Sequence, residues 1–314
     1  MSTDIIAAAH ASIARGSKSF ALASRLFDPE TRDRATLLYA WCRHCDDVID
    51  GQQYGQGRMA DLAAPAARLA ELRAATDRAF GGEMTGDVPF DALALLVRDV
   101  AIPRRYADDL LHGFAMDVDE FPVDTEGDLL TYCYHVAGCV GVMMALVMGV
   151  SPMDHRTLAR ASDLGLAFQL ANIARDVMED AAAGRCYLPA EWLAAERLSA
   201  ENFTSAVCRP SLHRVVSRLV TLSGYYEASA VWGVPALGWR QAWAVLAAAR
   251  IYGDIGRKVR AGGTAALAQR VVTSRAEKLA AVAAALPAAR ARHRRWREPA
   301  PARQGLWTPQ FVSG

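Results

Sequence analysis

Two acidic clusters hold the residues of this 314-residue sequence whose types and spacing best fit chemistry. The clusters are Asp46, Asp47 and Asp50 in YAWCRHCDDVID (39–50), and Asp176 and Asp180 in FQLANIARDVMEDAAAGRCYLP (168–189). Carboxylates three or four positions apart share one face of a helix and repel each other, and Asp is a poor helix former. Each cluster therefore carries an electrostatic cost that we expect a function to offset.

The neighbours of both clusters are mostly apolar or aromatic, so we expect the carboxylates to line a cleft rather than a solvated surface. Arg43 and Arg175 supply some positive charge, but the carboxylates remain in excess. Oxygen ligands favour a hard cation, and Mg²⁺ binds few carboxylates and completes its coordination with water and substrate phosphate. Two facing acidic helices are therefore predicted to hold a diphosphate through magnesium ions, with Mn²⁺ as an alternative.

A diphosphate held in this way is a leaving group whose charge the metal neutralises. If the bond that breaks joins it to carbon, the product is a carbocation, which requires dry walls and aromatic faces rather than a nucleophile. The candidate wall residues are Phe20, Tyr39, Tyr132, Tyr134, Phe168 and Tyr252.

Helices are the elements predicted to position these residues. Proline-free tracts rich in Ala, Leu, Arg and Met, which favour helix, cover residues 30–64, 123–151, 153–188 and 236–286. In the third tract Leu164, Phe168 and Ala171 follow helical spacing on the side that carries Asp176. Runs of alternating β-branched residues are missing, so we predict an all-α protein of about a dozen helices.

Composition excludes several classes of protein. With 35 Lys and Arg against 34 Asp and Glu, the chain lacks the bulk positive charge that nucleic-acid binding uses. Six cysteines are too few for a disulfide framework in a chain of this length, and the first 20 residues do not resemble a signal peptide, so we expect a cytoplasmic location. The apolar stretch 136–150 is shorter than the roughly 20 residues of a membrane span and is predicted to be a core helix.

Five stretches of the sequence resemble the squalene and phytoene synthase family, and within it the bacterial phytoene synthases. They are GSKSF (16–20), YAWCRHCDDVID (39–50), YCYHVAGCVG (132–141), LGLAFQLANIARDVMEDAAAGRCYLP (164–189) and ARIYGDIGRKV (249–259). The resemblance implies one all-α isoprenoid-synthase domain, a helical bundle around a central cavity that both acidic clusters face. We expect this catalytic domain to span 1–288, and the basic, proline-broken remainder, 289–314, to be a poorly ordered tail.

The resemblance also implies roles for individual residues. Metal and diphosphate would be held by Asp46, Asp47, Asp50, Asp176 and Asp180, with Asn172 as a further ligand. Diphosphate oxygens would be contacted by Lys18, Arg43, Arg185 and Tyr252, in a site that also includes Ser17, Ser19 and Gln169. The prenyl pocket would be shaped by Phe20, Tyr39, Val136 and Val140, with Gly138 and Gly141 leaving space beside the backbone. Tyr132 is a candidate catalytic residue.

The reaction implied is the head-to-head condensation of two prenyl diphosphates through a cyclopropylcarbinyl diphosphate. In the bacterial phytoene synthases the substrate is geranylgeranyl diphosphate, and the last cation loses a proton to give phytoene, a carotenoid precursor. The expected enzyme is thus a magnesium-dependent prenyltransferase that needs no NADPH. The alternatives are dehydrosqualene or squalene synthase, which use farnesyl diphosphate, and a terpene cyclase of the same fold. Motif spacing alone does not determine the prenyl chain length or the oligomeric state.

Other readings of the motifs are weaker. WCRHC (41–45) has the form of a thioredoxin-like dithiol, but that motif needs a preceding strand, so we expect Cys42 and Cys45 to be packed thiols in a helix. A zinc site at Cys42, His44 and Cys45 lacks a second ligand pair. A non-catalytic metal-binding bundle would not need the aromatic and basic residues. Asp108 and Asp109 are predicted to lie on the surface.

The basic tail suggests a contact with membrane. Its residues are Arg290, Arg292, Arg294, Arg295 and Arg297 around Trp296, followed by Trp307 and Phe311. Each basic residue near an anionic membrane contributes about 1 kcal/mol, so we hypothesise transient, peripheral contact with the inner membrane, where the lipid substrates lie. The alternative is a solvated tail. Nucleic acid is not expected, because no groove studded with aromatic residues accompanies the charges.

Overall fold

The computed structural model describes residues 2–16, 18–51, 63–297 and 299–308, together with the side chains of all but a few N-terminal residues among them. The elements assigned in these ranges are all helical, which confirms the prediction of an all-α protein. Their α-helices are α1 (Ser2–Gly16), α2 (Lys18–Ser24), α3 (Pro29–Asp50), α4 (Pro65–Phe80), α5 (Val88–Asp99), α6 (Arg104–Val118), α7 (Glu126–Cys133), α8 (Cys139–Val147), α9 (His155–Ala182), α10 (Ala190–Ala195), α11 (Arg209–Ala230), α12 (Trp239–Ala261), α13 (Arg275–Arg290) and α14 (Arg292–Arg295).

Local sequence signals begin and end the two helices that carry the acidic clusters. At the start of α3 the Asp28 side chain accepts a hydrogen bond from the Thr31 amide at 2.9 Å, and Pro29 occupies the first turn. The helix ends at Gly51, whose φ of 64° is left-handed and favours glycine. At the start of α9, Asp154 accepts from the Thr157 amide at 3.0 Å. The first residue of each helix is therefore set by capping residues outside the clusters.

Small residues let α8 and the turn before it pack closely on α9. A Cβ atom added to Gly141 would lie 2.4 Å from the carbonyl oxygen of Ala161, and one added to Gly165 would lie 2.3 Å from that of Ala137. A side chain at Gly138 or Gly141 would meet atoms of α9, so both glycines are needed for this contact; the expectation that they also leave space for a prenyl chain stays a prediction. The close contact packs α8 tightly on α9, the helix that carries the second acidic cluster further along.

One stretch of the described chain, Glu126–Val147, is long and apolar enough to cross a membrane by length and composition. It comprises α7, a π-helical turn (Tyr134–Gly138) and α8, and it is longer than the 136–150 stretch because the π turn joins the two helices without a break. Within its most apolar window, 61% of the residues are buried inside the bundle. That burial agrees with the predicted core helix.

The C-terminal part of the chain packs on the bundle wherever the structure describes it. The indole of Trp243 in α12 donates to the Val282 carbonyl of α13 at 2.7 Å. Further on, Arg303 pairs with Asp163 of α9 at 2.5 Å, and the Trp307 amide donates to the Tyr226 hydroxyl at 3.0 Å. The segment 299–308 thus makes specific contacts that the expectation of a poorly ordered tail did not include. A domain boundary at residue 288 stays a prediction.

Candidate active site

A cavity of about 640 Å³ lies inside the bundle between α3, α6, α8, α9 and α12. Four carboxylates of the two acidic clusters line it, namely Asp46 and Asp50 from α3 and Asp176 and Asp180 from α9. Away from them the lining is mostly apolar, with side chains such as Met144, Met148, Leu164 and Ile251. The arrangement suits a molecule with a strongly anionic head and a long hydrocarbon chain.

The structure brings most of the predicted site residues to this cavity. Those that line it, besides the four carboxylates, are Phe20, Tyr39, Arg43, Tyr132, Val136, Val140, Gln169, Asn172, Arg185 and Tyr252. Asp47 is not among the lining residues; its carboxylate lies 3.1 Å from the Arg43 side chain. Ser17 lies outside the described residues, as do the side chains of Lys18 and Ser19. The roles assigned to all these residues stay predictions.

The first cluster is only partly neutralised by arginine. Arg43 contacts the Asp46 carboxylate at 2.9 Å, and Arg185 donates to Asp50 at 2.7 Å. The Asp46 side chain is 43% exposed, but it faces the cavity rather than open solvent. Burial raises its pKa to about 6 despite Arg43, and the charges of Asp50 and other nearby carboxylates add to the rise. Arg43 alone therefore does not offset the burial of this carboxyl and the charges of its neighbours.

The two carboxylates of the second cluster differ in charge compensation. Arg175 and Arg270 both bind the Asp176 carboxylate, and Arg270 does so through two hydrogen bonds of 2.9 and 3.1 Å. Although burial opposes it, this pairing lowers the pKa of Asp176. Asp180 shows the opposite shift, because burial and the nearby Asp176 charge raise its pKa to about 7. Asp180 and Asp46 are thus the two carboxyls in which a cation would replace a proton.

The structure also tests whether the site fits a metal ion. The Oδ1 atom of Asn172 is buried and accepts no hydrogen bond from the described residues. It lines the cavity with Asp176, one turn further along α9. No three acidic, histidine or cysteine side chains within the described ranges lie close enough to form a metal cluster, and arginines bind several of the carboxylates. The donor set of carboxylate and amide oxygens fits Mg²⁺, provided that substrate draws these arginines away.

Asp117 is a cavity residue that the sequence reasoning missed. Its carboxylate accepts hydrogen bonds from the hydroxyls of Tyr132 and Tyr187, each at 3.0 Å, and the two tyrosine rings stack with centroids 4.7 Å apart. Burial raises the pKa values of Asp117 and Tyr132. The sequence did contain a signal for Asp117. This residue lies on the same helix face as the apolar Leu110 and Phe114, where a carboxylate is unexpected unless it has a function.

Stacked aromatic pairs form walls of the cavity, as carbocation chemistry requires. Phe20 and Tyr39 stack with centroids 4.8 Å apart, and Phe168 and Tyr252 stack at 4.2 Å. The prediction for Tyr134 is wrong in the structure, which buries this residue away from the cavity-lining set. Residues two positions apart on a helix do not face the same way, so Tyr132 and Tyr134 cannot both line one wall.

Two further predictions concern residues near the site. The Tyr134 hydroxyl donates to Asp109 at 2.5 Å, so Asp109 is half-buried and not a surface residue as predicted, whereas Asp108 is exposed and pairs with Arg104. Cys42 and Cys45 lie within α3 as free thiols, and burial raises the pKa of both. A thioredoxin-like role would need the opposite shift.

Comparison with known proteins identifies the family. The family described as squalene/phytoene synthase matches residues 13–277. A 15-cis-phytoene synthase of Pantoea ananas is 48% identical over 296 residues, which cover 94% of each chain. That of Enterobacter agglomerans is 51% identical over 271 residues, covering 86% of this chain and 91% of the other.

Solved structures agree with the sequence comparison. The crystal structure of a dehydrosqualene synthase in complex with a ligand matches with a TM-score of 0.82 at 25% identity, covering 92% of this chain and 98% of the other. The resemblance inferred from the five sequence stretches is thereby confirmed. The chain belongs to the squalene/phytoene synthase family.

Proposed function

We propose that this protein is a phytoene synthase that condenses two molecules of geranylgeranyl diphosphate head to head. The observation that carries the proposal is one long apolar cavity whose two facing helices present four carboxylates. The relatives that are about half identical over most of the chain are named phytoene synthases. The product belongs to carotenoid biosynthesis, and its formation releases two diphosphates and removes two protons from the carbon skeleton, one in each half of the reaction.

The basic side chains of the site are proposed to bind the diphosphate groups. Arg43 and Arg185 line the cavity beside Asp46 and Asp50, and a guanidinium binds phosphate oxygens through paired hydrogen bonds. When a diphosphate enters, these arginines can turn from carboxylate to phosphate oxygens. Tyr252, whose hydroxyl belongs to the same lining, adds a neutral donor because burial raises its pKa. Lys18 is proposed to contribute a further cation.

The carboxylates of the two clusters are proposed to hold magnesium ions. The ligands would come from Asp46 and Asp50 on α3, and from Asn172, Asp176 and Asp180 on α9. Mg²⁺, or Mn²⁺ in its place, neutralises the leaving diphosphate when bound. Asp47 would act indirectly, since its contact with Arg43 orients that guanidinium.

The lining of the cavity is proposed to protect the cations formed when each carbon–oxygen bond breaks. In each ionisation the bonding electron pair leaves with the diphosphate oxygen. The stacked pairs Phe20–Tyr39 and Phe168–Tyr252 offer π faces to the carbocation. Val136 and Val140 line the same space without a nucleophile and help to exclude water, which would capture the cation as an alcohol.

The last cation is proposed to lose a proton, which gives the central double bond without a reductant. Tyr132 is held at the cavity by its hydrogen bond to Asp117, and its raised pKa keeps the phenol neutral. The proton is transferred to the released diphosphate or to a water beside the Tyr132 hydroxyl. Gln169 lines the same cavity and is proposed to orient the intermediate.

A product analysis tests the proposed function. Purified protein is incubated with Mg²⁺ and geranylgeranyl diphosphate, with and without NADPH, and the hydrocarbon is identified by mass spectrometry. We expect phytoene at the same rate in both reactions. A reduced, squalene-like hydrocarbon formed only with NADPH would contradict the proposal. A cyclic monomeric product would instead indicate a terpene cyclase.

Binding of metal and diphosphate should depend on pH. Asp46 and Asp180, with pKa values raised to about 6 and about 7, still hold protons in the folded protein at a pH where the unfolded chain has lost them. Without metal, their contribution to the free energy of unfolding therefore falls as pH rises from about 4 to about 7. Bound Mg²⁺ and diphosphate favour the deprotonated carboxylates, so with these ligands the contribution no longer falls as pH rises. The ligands should raise the melting temperature, and by more at about pH 8 than at about pH 6. Equal shifts would contradict the assignment.

We further propose that the protein is cytoplasmic and touches the inner membrane through exposed arginines. Arg290, Arg294, Arg295 and Arg297 are exposed, whereas Arg292 donates to the Leu237 carbonyl at 2.8 Å and belongs to the fold. Replacing the four exposed arginines by Ser should reduce co-sedimentation with vesicles that contain anionic lipid. Vesicles of neutral lipid serve as the control, and unchanged binding to anionic vesicles would contradict the proposal.

A further inference from the structure

The cavity extends along α9 away from the carboxylates. Lining residues on this helix run from Thr157 to Asp180, which are about 35 Å apart along the helix axis. Arg160 lines the cavity near the start of the helix, about 24 Å along the axis from Asp176. A chain bound with its diphosphate at the acidic end therefore extends towards Arg160.

Arg160 is an unusual residue at the end of an apolar cavity. It is 8% exposed, and its guanidinium donates hydrogen bonds to the Ser229 hydroxyl and to the Pro301 carbonyl oxygen. Opposite its stem lies Gly233, where an added Cβ would be only 2.9 Å from the Arg160 Cβ. The side chain is therefore confined on one side and hydrogen-bonded at its tip.

A buried ion pair between Asp163 and Arg303 holds the partners of Arg160 in place. Asp163, one turn further along α9, is completely buried and accepts two hydrogen bonds from Arg303, at 2.5 and 2.9 Å. The Ser229 hydroxyl also donates to Asp163. Helix α11 and the segment 299–308 thus meet at α9 and fix both acceptors of the Arg160 guanidinium.

We propose that Arg160 is the floor of the prenyl pocket and sets the longest chain that the enzyme accepts. This inference rests on the proposed function, since it concerns the chain length of that substrate. The methyl end of a prenyl chain can lie against the aliphatic stem of Arg160. It cannot pass the guanidinium without separating a buried charge from its hydrogen-bond acceptors, which is costly. Ser229 and Pro301 act as positioning groups that keep the floor closed.

Two substitutions should move the chain-length limit in opposite directions. Arg160→Ala opens the floor, and Ala161→Leu adds bulk to a lining residue beside it. For each variant, kcat/KM is measured with farnesyl, geranylgeranyl and geranylfarnesyl diphosphate, which differ by one isoprene unit. Arg156→Ala is the matched control, because Arg156 is an exposed arginine on the same helix outside the cavity lining.

We expect Arg160→Ala to raise the ratio of kcat/KM for the longest substrate over geranylgeranyl diphosphate at least about tenfold, the effect of about one methylene in an apolar pocket. Ala161→Leu should lower the ratio for geranylgeranyl over farnesyl diphosphate by a similar factor, and Arg156→Ala should change neither. If Arg160→Ala does not fold, the ratio measured for Ala161→Leu tests the proposal alone. Unchanged kcat/KM ratios in a folded variant would contradict the proposal that Arg160 limits the chain length. Failure of the unmodified enzyme to make phytoene would instead contradict the proposed function.

Discussion

Replacement of Asp176 by Asn should lower kcat by at least about a hundredfold, because the change removes one charge from the proposed metal site while preserving side-chain volume. Asp176 is the best-compensated carboxylate of the second cluster, since Arg175 and Arg270 keep it ionised. Its carboxylate therefore carries its charge at neutral pH, and it becomes a ligand once substrate draws the arginines away, as proposed above. Asp46→Asn should cause a loss of the same order, as the facing ligand on α3. The measurement is steady-state formation of the hydrocarbon from geranylgeranyl diphosphate.

A matched control separates loss of catalysis from loss of structure. Asp108→Asn removes a carboxylate that is exposed and paired with an arginine, Arg104, but outside the cavity lining. It should leave activity unchanged. Circular dichroism of all three variants should show the helix content of the unmodified protein. Near-normal turnover by Asp176→Asn or Asp46→Asn would mean that the carboxylate clamp is wrongly assigned.

The second large effect concerns stability rather than catalysis. Arg303→Ala should reduce the free energy of unfolding by about 3–5 kcal/mol, the usual cost of leaving one partner of a buried ion pair uncompensated. Asp163 is 0% exposed and would keep only the hydrogen bond from Ser229, among the partners described here. Denaturant unfolding followed by circular dichroism measures the change. The comparison variant is Arg297→Ala, an exposed arginine of the same region, for which we expect almost no effect.

A double substitution tests the physical reason. Asp163→Asn combined with Arg303→Ala removes both charges, so no uncompensated carboxylate stays in the interior. The double variant should therefore be more stable than Arg303→Ala alone, which is a non-additive result expected for residues in contact. A double variant that loses the sum of the two single effects would show that packing, rather than buried charge, makes Arg303 important.

Local spacing predicted those features of the molecule that local interactions determine. The all-α fold follows from the helix-forming tracts, and the clusters at 46–50 and 176–180 stand out because repelling carboxylates share a helix face. The starts of α3 and α9, which were not predicted, are fixed locally as well, by the capping residues Asp28 and Asp154. These signals lie within a few residues of the feature they determine.

The features that sequence reasoning missed are contacts between distant parts of the chain. Arg270 binds Asp176 from 94 residues away, and Asp117 meets Tyr187 across 70 residues. Asp117 interrupts an apolar face of α6, but neither that position nor the single Arg270 after α12 has a spacing pattern that identifies its distant partner. Such pairs depend on how the helices pack, because nothing in the neighbouring sequence fixes which side chains meet.

The pairing of Asp163 with Arg303 has a consequence for the order of events on the ribosome. The two residues are 140 positions apart, and chains grow at about 5–20 residues per second, so the carboxylate waits on the order of ten seconds for its partner. Until Arg303 has been synthesised, the Asp163 charge is more stable in water than in the protein interior. Docking this end of α9 on the rest of the bundle therefore gains little free energy. The end of the cavity near Arg160 is therefore among the last parts of the protein to be completed.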